Sequence, residues 1–198
     1  MRSTLRHIAL SVACLVIVTG LAAAAPQART RTPRDSAHTA RDRAYITRDR
    51  GPALKLIPAP RMASRGTGAF SFASGAGIVL ANPSREDDRF AAGQLTEEVA
   101  REMGLRLGVT SSAKRPILLG LATDPAIAAE CKRRRVRIDE RIGEEGYVLQ
   151  VSRDGIVVTG NTSTGVFYGV QTLKQLIRAN REGCNIPCVR IRDWPGLR

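Results

Sequence analysis

Two short apolar runs and the amphipathic segment after them constrain the fold of this chain most. Residues 147–151 alternate apolar and polar side chains, and residues 155–159 follow after a brief polar turn. Such a pair is typical of a β-hairpin. Between Thr164 and Arg178, large apolar residues recur at helical spacing, namely Val166, Phe167, Val170, Leu173 and Ile177. An apolar stripe of this kind must be buried, which predicts a helix lying on one face of the sheet that contains the hairpin.

The rest of the chain supplies further strands and a second long helix. Strands are predicted over four other apolar runs, Leu54–Ile57, Phe70–Phe72, Gly77–Ala81 and Ile186–Ile191. Pro116–Leu121 is nearly continuous in apolar residues, as in a central strand covered on both faces. Apolar residues about four apart predict a helix over Arg85–Met103, capped by Ser84 and ended by Gly104. A short helical turn is expected over Asp124–Glu130.

This order of elements predicts an α+β fold, a mixed β-sheet with two helices packed on one face. The glycine-containing stretches Gly66–Gly68 and Gly75–Gly77 lack the pattern of a phosphate-binding loop, and we expect turns at both. The folded domain is predicted to span residues 51–198.

The first fifty residues are not expected to belong to that domain. Residues 1–25 have the basic start, the apolar run and the small residues of a cleaved signal peptide. The apolar run is shorter than the ~20 residues that span a bilayer, so we expect no stable membrane anchor. Residues 26–50 are rich in arginine and poor in large apolar residues, which predicts a disordered linker. An exported chain, periplasmic or extracellular, is therefore expected.

The chain is strongly basic, with a formal net charge of +13. The densest cluster is Lys132–Arg135 together with Arg137, which could bind phosphate backbones or an acidic polymer. Aromatic residues that could stack on bases are scarce around it. We interpret the cluster as a solvated loop or a charged edge strand, and we expect no nucleic-acid partner.

Histidine and cysteine usage excludes several kinds of chemistry. The only histidines are His7 and His38, so the predicted domain has no HExxH zinc motif, no Ser-His-Asp triad and no Cys-His pair. Cys184 and Cys188 could close a small loop by a disulfide, which leaves Cys131 alone. A metal site would need more ligands than these cysteines provide. We expect neither a metal nor a cofactor.

One segment carries a resemblance to a known family. Residues 143–176 open a strand with Glu145-Gly-Tyr147, open the next strand with Gly155-Ile156, and then enter a helix at Gly165. Arg192-Asp-Trp-Pro195 follows at the end, and Ile57-Pro-Ala-Pro60 stands at the beginning. In these features the chain resembles the non-catalytic N-terminal domain of glycoside hydrolase family 20, the β-N-acetylhexosaminidases. That resemblance covers residues 54–198 and implies a zincin-like α+β domain.

The resemblance also implies where catalysis takes place. In the family, a barrel domain follows and carries an adjacent Asp-Glu pair, in which the Asp orients the substrate's acetamido group and the Glu is the general acid. Here Asp139-Glu140 is the nearest such pair, and we expect it in a solvated loop before the hairpin. We therefore assign no catalytic, cofactor-binding or metal-binding residue and expect a catalytic barrel, absent from this chain, as the partner.

Two alternatives to an accessory domain of an exported β-N-acetylhexosaminidase remain open from the sequence. The chain could be a stand-alone binding or interaction protein that keeps the fold. It could also be the N-terminal domain of an O-GlcNAcase-like or α-glucuronidase-like glycosidase, because Asp193-Trp-Pro195 does not separate these families. The amides Gln171 and Gln175 and the small residues Gly165 and Gly169 mark the edge of the last helix that we expect to face the barrel.

Overall fold

A six-stranded mixed sheet forms the centre of the molecule. The computed structural model describes residues 54–73, 75–138 and 140–196, so the predicted signal peptide (1–25) and linker (26–50) lie outside the described residues. The strands are β1 (Met62–Ser71), β2 (Ala76–Leu80), β3 (Arg115–Leu121), β4 (Tyr147–Ser152), β5 (Gly155–Gly160) and β6 (Asn185–Asp193). Their order across the sheet is β1-β6-β4-β5-β3-β2.

Three helices cover the two faces of this sheet. They are α1 (Glu86–Met103), α2 (Pro125–Arg134) and α3 (Ser163–Ala179). Two 3-10 turns, Glu140–Ile142 and Arg181–Gly183, complete the regular structure. Helices α1 and α3 pack together over the larger core, whereas α2 covers a smaller core on the opposite face. The predicted α+β class and the two helices on one face are confirmed, and α2 adds a third helix.

The hairpin and the apolar strand are confirmed, and they connect the two halves of the sheet. β4 pairs with β5 in antiparallel register, with Leu149 opposite Val158. β5 then pairs in parallel with β3, and β3 with β2. Strand β3 is covered on both faces, because Leu119 joins the larger core and Leu118 the smaller one. It is an interior strand that lies next to the edge strand β2.

Helix α3 lies unusually close to the sheet because two of its residues have no side chain. A Cβ atom placed on Gly169 would lie 2.5 Å from Cγ1 of Val158, and one on Gly165 would overlap the backbone carbonyl of Gly146. The glycines therefore face the sheet, and they are not available to face a second domain.

A buried ion cluster joins α1 to α3. Glu98 has no exposed surface, and it accepts hydrogen bonds from Nε of Arg178 at 2.5 Å and from Nη2 of Arg101 at 2.6 Å. Lys174, only 7% exposed, lies 3.6 Å from the same carboxylate. Burial acts to raise the pKa of Glu98, but the hydrogen bonds from Arg178 and Arg101 outweigh it and hold the pKa below its ordinary value. The carboxylate therefore remains charged between the helices.

A second cluster stabilises the start of α1 and corrects the predicted cap. Arg85, and not Ser84, occupies the N-cap position, and no side chain caps the helix. Arg85 instead donates to Asp88 at 2.7 Å and binds both carboxylate oxygens of Asp124, at 2.9 and 3.0 Å. The arginine thereby links the start of α1 to the start of α2. Its charge-assisted hydrogen bonds are stronger than the bond that a neutral hydroxyl cap would form. The predicted end of the helix at Gly104, in the left-handed region, is confirmed.

Two predicted strand and turn assignments are wrong. Leu54–Ile57 is not a strand, because the backbone of Ile57 pairs with a side chain of α3 and the following prolines cannot continue a ladder. Gly66–Gly68 is not a turn but part of β1, which pairs with β6 on either side of an irregularity between Arg65 and Ala69. Gly68, with a φ of 95°, provides the backbone geometry of this bulge.

The region of α2 differs from the prediction in length and in surroundings. The helix runs on to Arg134, beyond the predicted short turn, since Ile127 and Cys131 lie one turn apart and both pack on the sheet. Most of the basic run at 132–135 therefore forms the last turn of a helix and not a loop. Arg134 is largely buried, and its side chain binds Glu130 and Ser152.

We expect Glu98→Gln to lower the free energy of unfolding by roughly 2–4 kcal/mol, because the buried Lys174 loses its compensating charge. The charge of Glu98 stabilises the fold above the ordinary glutamate pKa of about 4.5, and this contribution is lost as pH falls through the lower folded-state pKa. Urea unfolding at pH 7 and at pH 3 measures both effects. The exposed neighbour Glu97→Gln is the control, and equal losses for the two variants at pH 7 would contradict the expectation.

Candidate functional site

A concave surface lies where the chain enters the sheet and where it leaves it. Met62 at the start of β1 pairs with Arg192 near the end of β6, so the two connections lie side by side. Between them and helix α3 is a cleft of about 630 Å³. Its walls come from the lead-in loop (residues 57–61), from the polar edge of α3, and from the exit segment (residues 193–196).

One glutamine attaches the lead-in loop to α3. The backbone N–H of Ile57 donates to Oε1 of Gln175 at 2.9 Å, and Nε2 of Gln175 donates to the carbonyl of Ile57 at 2.9 Å. The side-chain amide thus pairs with the peptide unit as a neighbouring strand would. The peptide bond between Ile57 and Pro58 is cis. The side chain of Ile57 is left 84% exposed at the rim of the cleft.

One arginine attaches the lead-in loop to the exit segment. The backbone N–H of Arg61 donates to Oδ1 of Asp193 at 3.1 Å, and its Nε donates to the carbonyl of Trp194 at 2.9 Å. The guanidinium lies 5.4 Å from the centroid of the Trp194 ring, a cation–π distance. Arg61 therefore determines the direction in which the backbone leaves β6.

The floor of the cleft is a neutral hydrogen-bonded pair. The hydroxyl of buried Tyr147 lies 2.6 Å from Oγ1 of Thr172. Burial, together with the nearby charge of Asp193, raises the pKa of Tyr147 to about 12, and the bond to Thr172 only partly opposes this. The phenol therefore stays protonated at neutral pH and serves as a structural group.

A ridge of exposed aromatic rings continues from the cleft along α1 and α3. Phe90 stacks on Phe167 with ring centroids 6.1 Å apart, and Phe167 lies 6.0 Å from Tyr168, which also lines the cleft. Phe90 is 61% exposed and Tyr168 42% exposed. We call Phe90, Phe167 and Tyr168 the aromatic ridge. Tyr168 is exposed because Gly165 and Gly169 turn the opposite face of α3 toward the sheet.

The residues considered as chemical sites from the sequence do not come together. Glu140 begins a 3-10 turn before the hairpin, and Asp139 lies outside the described residues. Cys131, Cys184 and Cys188 are free thiols. Cys188 lies in β6 and Cys184 just before it, so extended chain separates them by about 13 Å, too far for a disulfide. Across the described ranges, no group of histidine, cysteine and acidic residues could hold a metal ion.

In the part of the chain that the structure describes, no helix is both long enough and apolar enough to cross a bilayer. Gln175 and the Asp193-Trp194 pair could be identified from the sequence, whereas Arg61 and the stacked rings could not. Arg61 directly follows Pro58-Ala-Pro60, where no periodicity marks it.

Comparison with known proteins assigns the fold to a family. The description "Glycosyl hydrolase family 20, domain 2" matches residues 53–194, most of the chain, and the chain belongs to this family. It is an N-terminal-type domain of the family, which confirms the resemblance. A curated β-hexosaminidase of Porphyromonas gingivalis (strain ATCC BAA-308 / W83) is 41% identical over 61 residues, which are 27% of this chain and 8% of that protein.

Solved structures show the same fold. The family 20 β-N-acetylhexosaminidase of Streptomyces coelicolor A3(2) has a TM-score of 0.57 and 28% identity, over 74% of this chain and 27% of that one. The protein CpGH84D has a TM-score of 0.63 at 18% identity, over 73% of this chain and 24% of that one, and this is a likeness of fold alone. The chain thus spans about a quarter or less of the length of these relatives.

We expect Gln175→Leu to release the lead-in loop, because both hydrogen bonds to Ile57 are lost at a cost of about 1–2 kcal/mol. Trypsin should then cut faster after Lys55 and Arg61, and mass spectrometry of the fragments that begin at Leu56 and Met62 follows the rate. Gln171→Leu is the matched control, since this amide lies one turn earlier on α3 and also lines the cleft. Equal cleavage rates for the two variants would show that Gln175 does not hold the loop.

Proposed function

We propose that this chain is the accessory domain of an exported β-N-acetylhexosaminidase-type glycosidase, and that it docks on and stabilises a catalytic domain while contributing no catalytic group. The single observation that carries the proposal is the aromatic ridge, which joins the cleft where the chain leaves β6. Export rests on residues 1–25 alone, and mass spectrometry of secreted protein, expected to begin near Pro26, tests that part.

The surface around the cleft has the composition of an interdomain contact. Phe90, Tyr168 and Ile57 expose large apolar areas, and the rim supplies the amide of Gln171 and the ring of Trp194. Contiguous exposed apolar surface marks an interaction site, and aromatic rings are enriched at such contacts. Contacts between domains of one chain bury about 600–1,500 Å², an area that the ridge and cleft together can supply.

The exit geometry supports the same partner. Arg61 holds Asp193 and Trp194, so the segment after β6 leaves beside the cleft and in a fixed direction. A domain attached to that segment would begin beside the cleft, which the aromatic ridge reaches through Tyr168. Of the relatives above, the P. gingivalis β-hexosaminidase and the S. coelicolor β-N-acetylhexosaminidase are much longer than this chain, which leaves room for a catalytic domain.

We expect no glycosidase activity from the 198-residue chain. The carboxylates that line the cleft are Glu145 and Asp193, and Asp193 is engaged with the backbone of Arg61. Release of nitrophenol from a nitrophenyl N-acetylglucosaminide by the purified chain is the measurement. Turnover that copurifies with the chain through further purification, and that Glu145→Gln abolishes, would overturn this expectation.

We expect Phe90→Ser combined with Tyr168→Ser to weaken docking at least tenfold, because a buried aromatic anchor contributes about 2 kcal/mol or more to such a contact. Calorimetric titration of the chain against a family 20 catalytic domain measures the affinity. The folded state should be little affected, since Phe90 is 61% exposed.

The control for docking is Val109→Ser, which removes an apolar side chain that is 53% exposed just before β3. Its affinity should stay within about twofold of the unmodified chain, since peripheral truncations rarely exceed ~0.5 kcal/mol. An unchanged affinity for the double variant, or an equal loss for Val109→Ser, would place the contact elsewhere and refute the ridge as the docking surface.

A further inference from the structure

The two ends of the sheet differ in the charged residues that they carry. Strands β2, β3 and β5 all run toward the cleft end, where α1 begins with Asp87 and Asp88 and where Asp124 precedes α2. The helices end at the opposite end, where basic residues predominate. Favourable interaction with the helix dipoles accounts for basic residues in the last turns of the helices.

Helix dipoles do not account for the basic residues contributed by strands and turns at that opposite end. Lys114 and Arg115 stand at the start of β3, and Arg153 lies in the turn between β4 and β5. Together with Lys132 and Arg135 at the end of α2, they form a surface that we call the basic corner. Lys114, Lys132, Arg135 and Arg153 are exposed, and Arg115 is partly exposed.

Two contacts join the elements that carry these residues. Nη1 of Arg134, next to Arg135, donates to the carbonyl of Gly155 at 3.1 Å, which joins the end of α2 to the hairpin turn. A Cβ on Gly155 would lie 2.7 Å from the carbonyl of Pro116, which joins that turn to the start of β3. A third contact places the guanidinium of Arg153 against Gly68 of the β1 bulge.

The acidic residues of this corner are already neutralised. Glu130 binds Arg133 and Arg134, and Asp154 binds Arg133 and the hydroxyl of Ser152. These partners lower the pKa of both carboxylates, with the hydrogen bonds from Arg133 to Glu130 and from Ser152 to Asp154 as the largest effects.

The cations of the corner, in contrast, are left without acidic partners. Within residues 54–73, 75–138 and 140–196, none of its five side chains forms an ion pair. Close, exposed and uncompensated cations produce a strongly positive local potential.

We propose that the basic corner binds an acidic polysaccharide, a glycan chain with carboxylate or sulfate groups, on the side of the domain away from the docking surface. The choice of a glycan rests on the proposed function, whereas binding of a polyanion rests on the corner itself. An accessory domain with this surface holds the enzyme on an anionic glycan matrix while its catalytic domain docks at the cleft end.

The positions of aromatic and apolar side chains favour a glycan over other polyanions. Among the described residues, three of the four large exposed apolar side chains, Ile57, Phe90 and Tyr168, lie on the cleft side or on the helical face. The fourth, Val109, pairs with Ile78 at the edge strand β2. None of the five side chains of the corner is aromatic, so bases of single-stranded nucleic acid have no ring to stack on. None of the five is a large apolar side chain that could insert into a lipid surface.

The test compares two charge-reversed variants of the full chain that carry the same net charge. Lys132→Glu with Arg153→Glu changes the corner, and Lys55→Glu with Arg89→Glu changes two exposed cations elsewhere. The arginine-rich segment 26–50 is the same in both. Binding to polygalacturonate and to heparin is measured between about 50 and 200 mM salt.

The corner variant should bind at least tenfold more weakly, and the slope of log K against log salt should fall by about two, since two cations no longer displace counterions. The control variant should stay within about threefold. Lys132→Gln with Arg153→Gln should give an intermediate loss, and unchanged urea midpoints show that all variants remain folded.

Three results would overturn the proposal. Equal losses for the corner and control variants would mean that net charge alone governs binding. If a single-stranded oligonucleotide of equal charge binds more tightly than the two polysaccharides, the corner is assigned to nucleic acid. If anionic phospholipid vesicles bind more tightly than the polysaccharides, it is assigned to a membrane surface. Failure of docking in the ridge variants leaves this test unaffected, so the two proposals fail separately.

Discussion

The close approach of helix α3 to strands β4 and β5 is the contact on which the rest of the structure depends. Gly165 and Gly169 remove the side chains that would separate the helix from the sheet, and the buried residues Val166, Val170, Leu173 and Ile177 then reach the larger core. Because this face of α3 is fixed against the sheet, Tyr168, Gln171 and Gln175 must point away from it. The same two glycines thus create both the packing of the domain and its polar and aromatic outer edge.

Buried charges then fix the other elements relative to α3. Glu98 connects α1 to α3 through Arg178 and Lys174, and Arg85 connects the starts of α1 and α2. Breaking such a pair on one side leaves an uncompensated charge, so these contacts select one arrangement of the helices more than they add stability. The shape of the cleft depends on these contacts, because one wall of the cleft is the outer edge of α3.

Local periodicity explains what the sequence could predict. The hairpin at 147–160, helix α3 and the long helix α1 each have a repeating apolar pattern that needs no distant partner. Only the end of β1 could be predicted, at Phe70–Phe72, because Gly66-Thr-Gly68 has the composition of a turn and becomes strand only through pairing with β6 more than a hundred residues later. The contact between Ile57 and Gln175 joins residues 118 apart, and no pattern in the sequence marks it.

The polar groups around the cleft hold chain segments in place. Gln175 holds the lead-in loop, Arg61 holds the exit segment, and Thr172 satisfies Tyr147. A general acid in a glycosidase needs a carboxyl group whose pKa is raised toward neutrality. The described carboxylates with a shifted pKa, Glu98, Asp124, Glu130 and Asp154, all shift downward, since arginines or a hydroxyl stabilise the charged form. These four groups are therefore suited to permanent ion pairs.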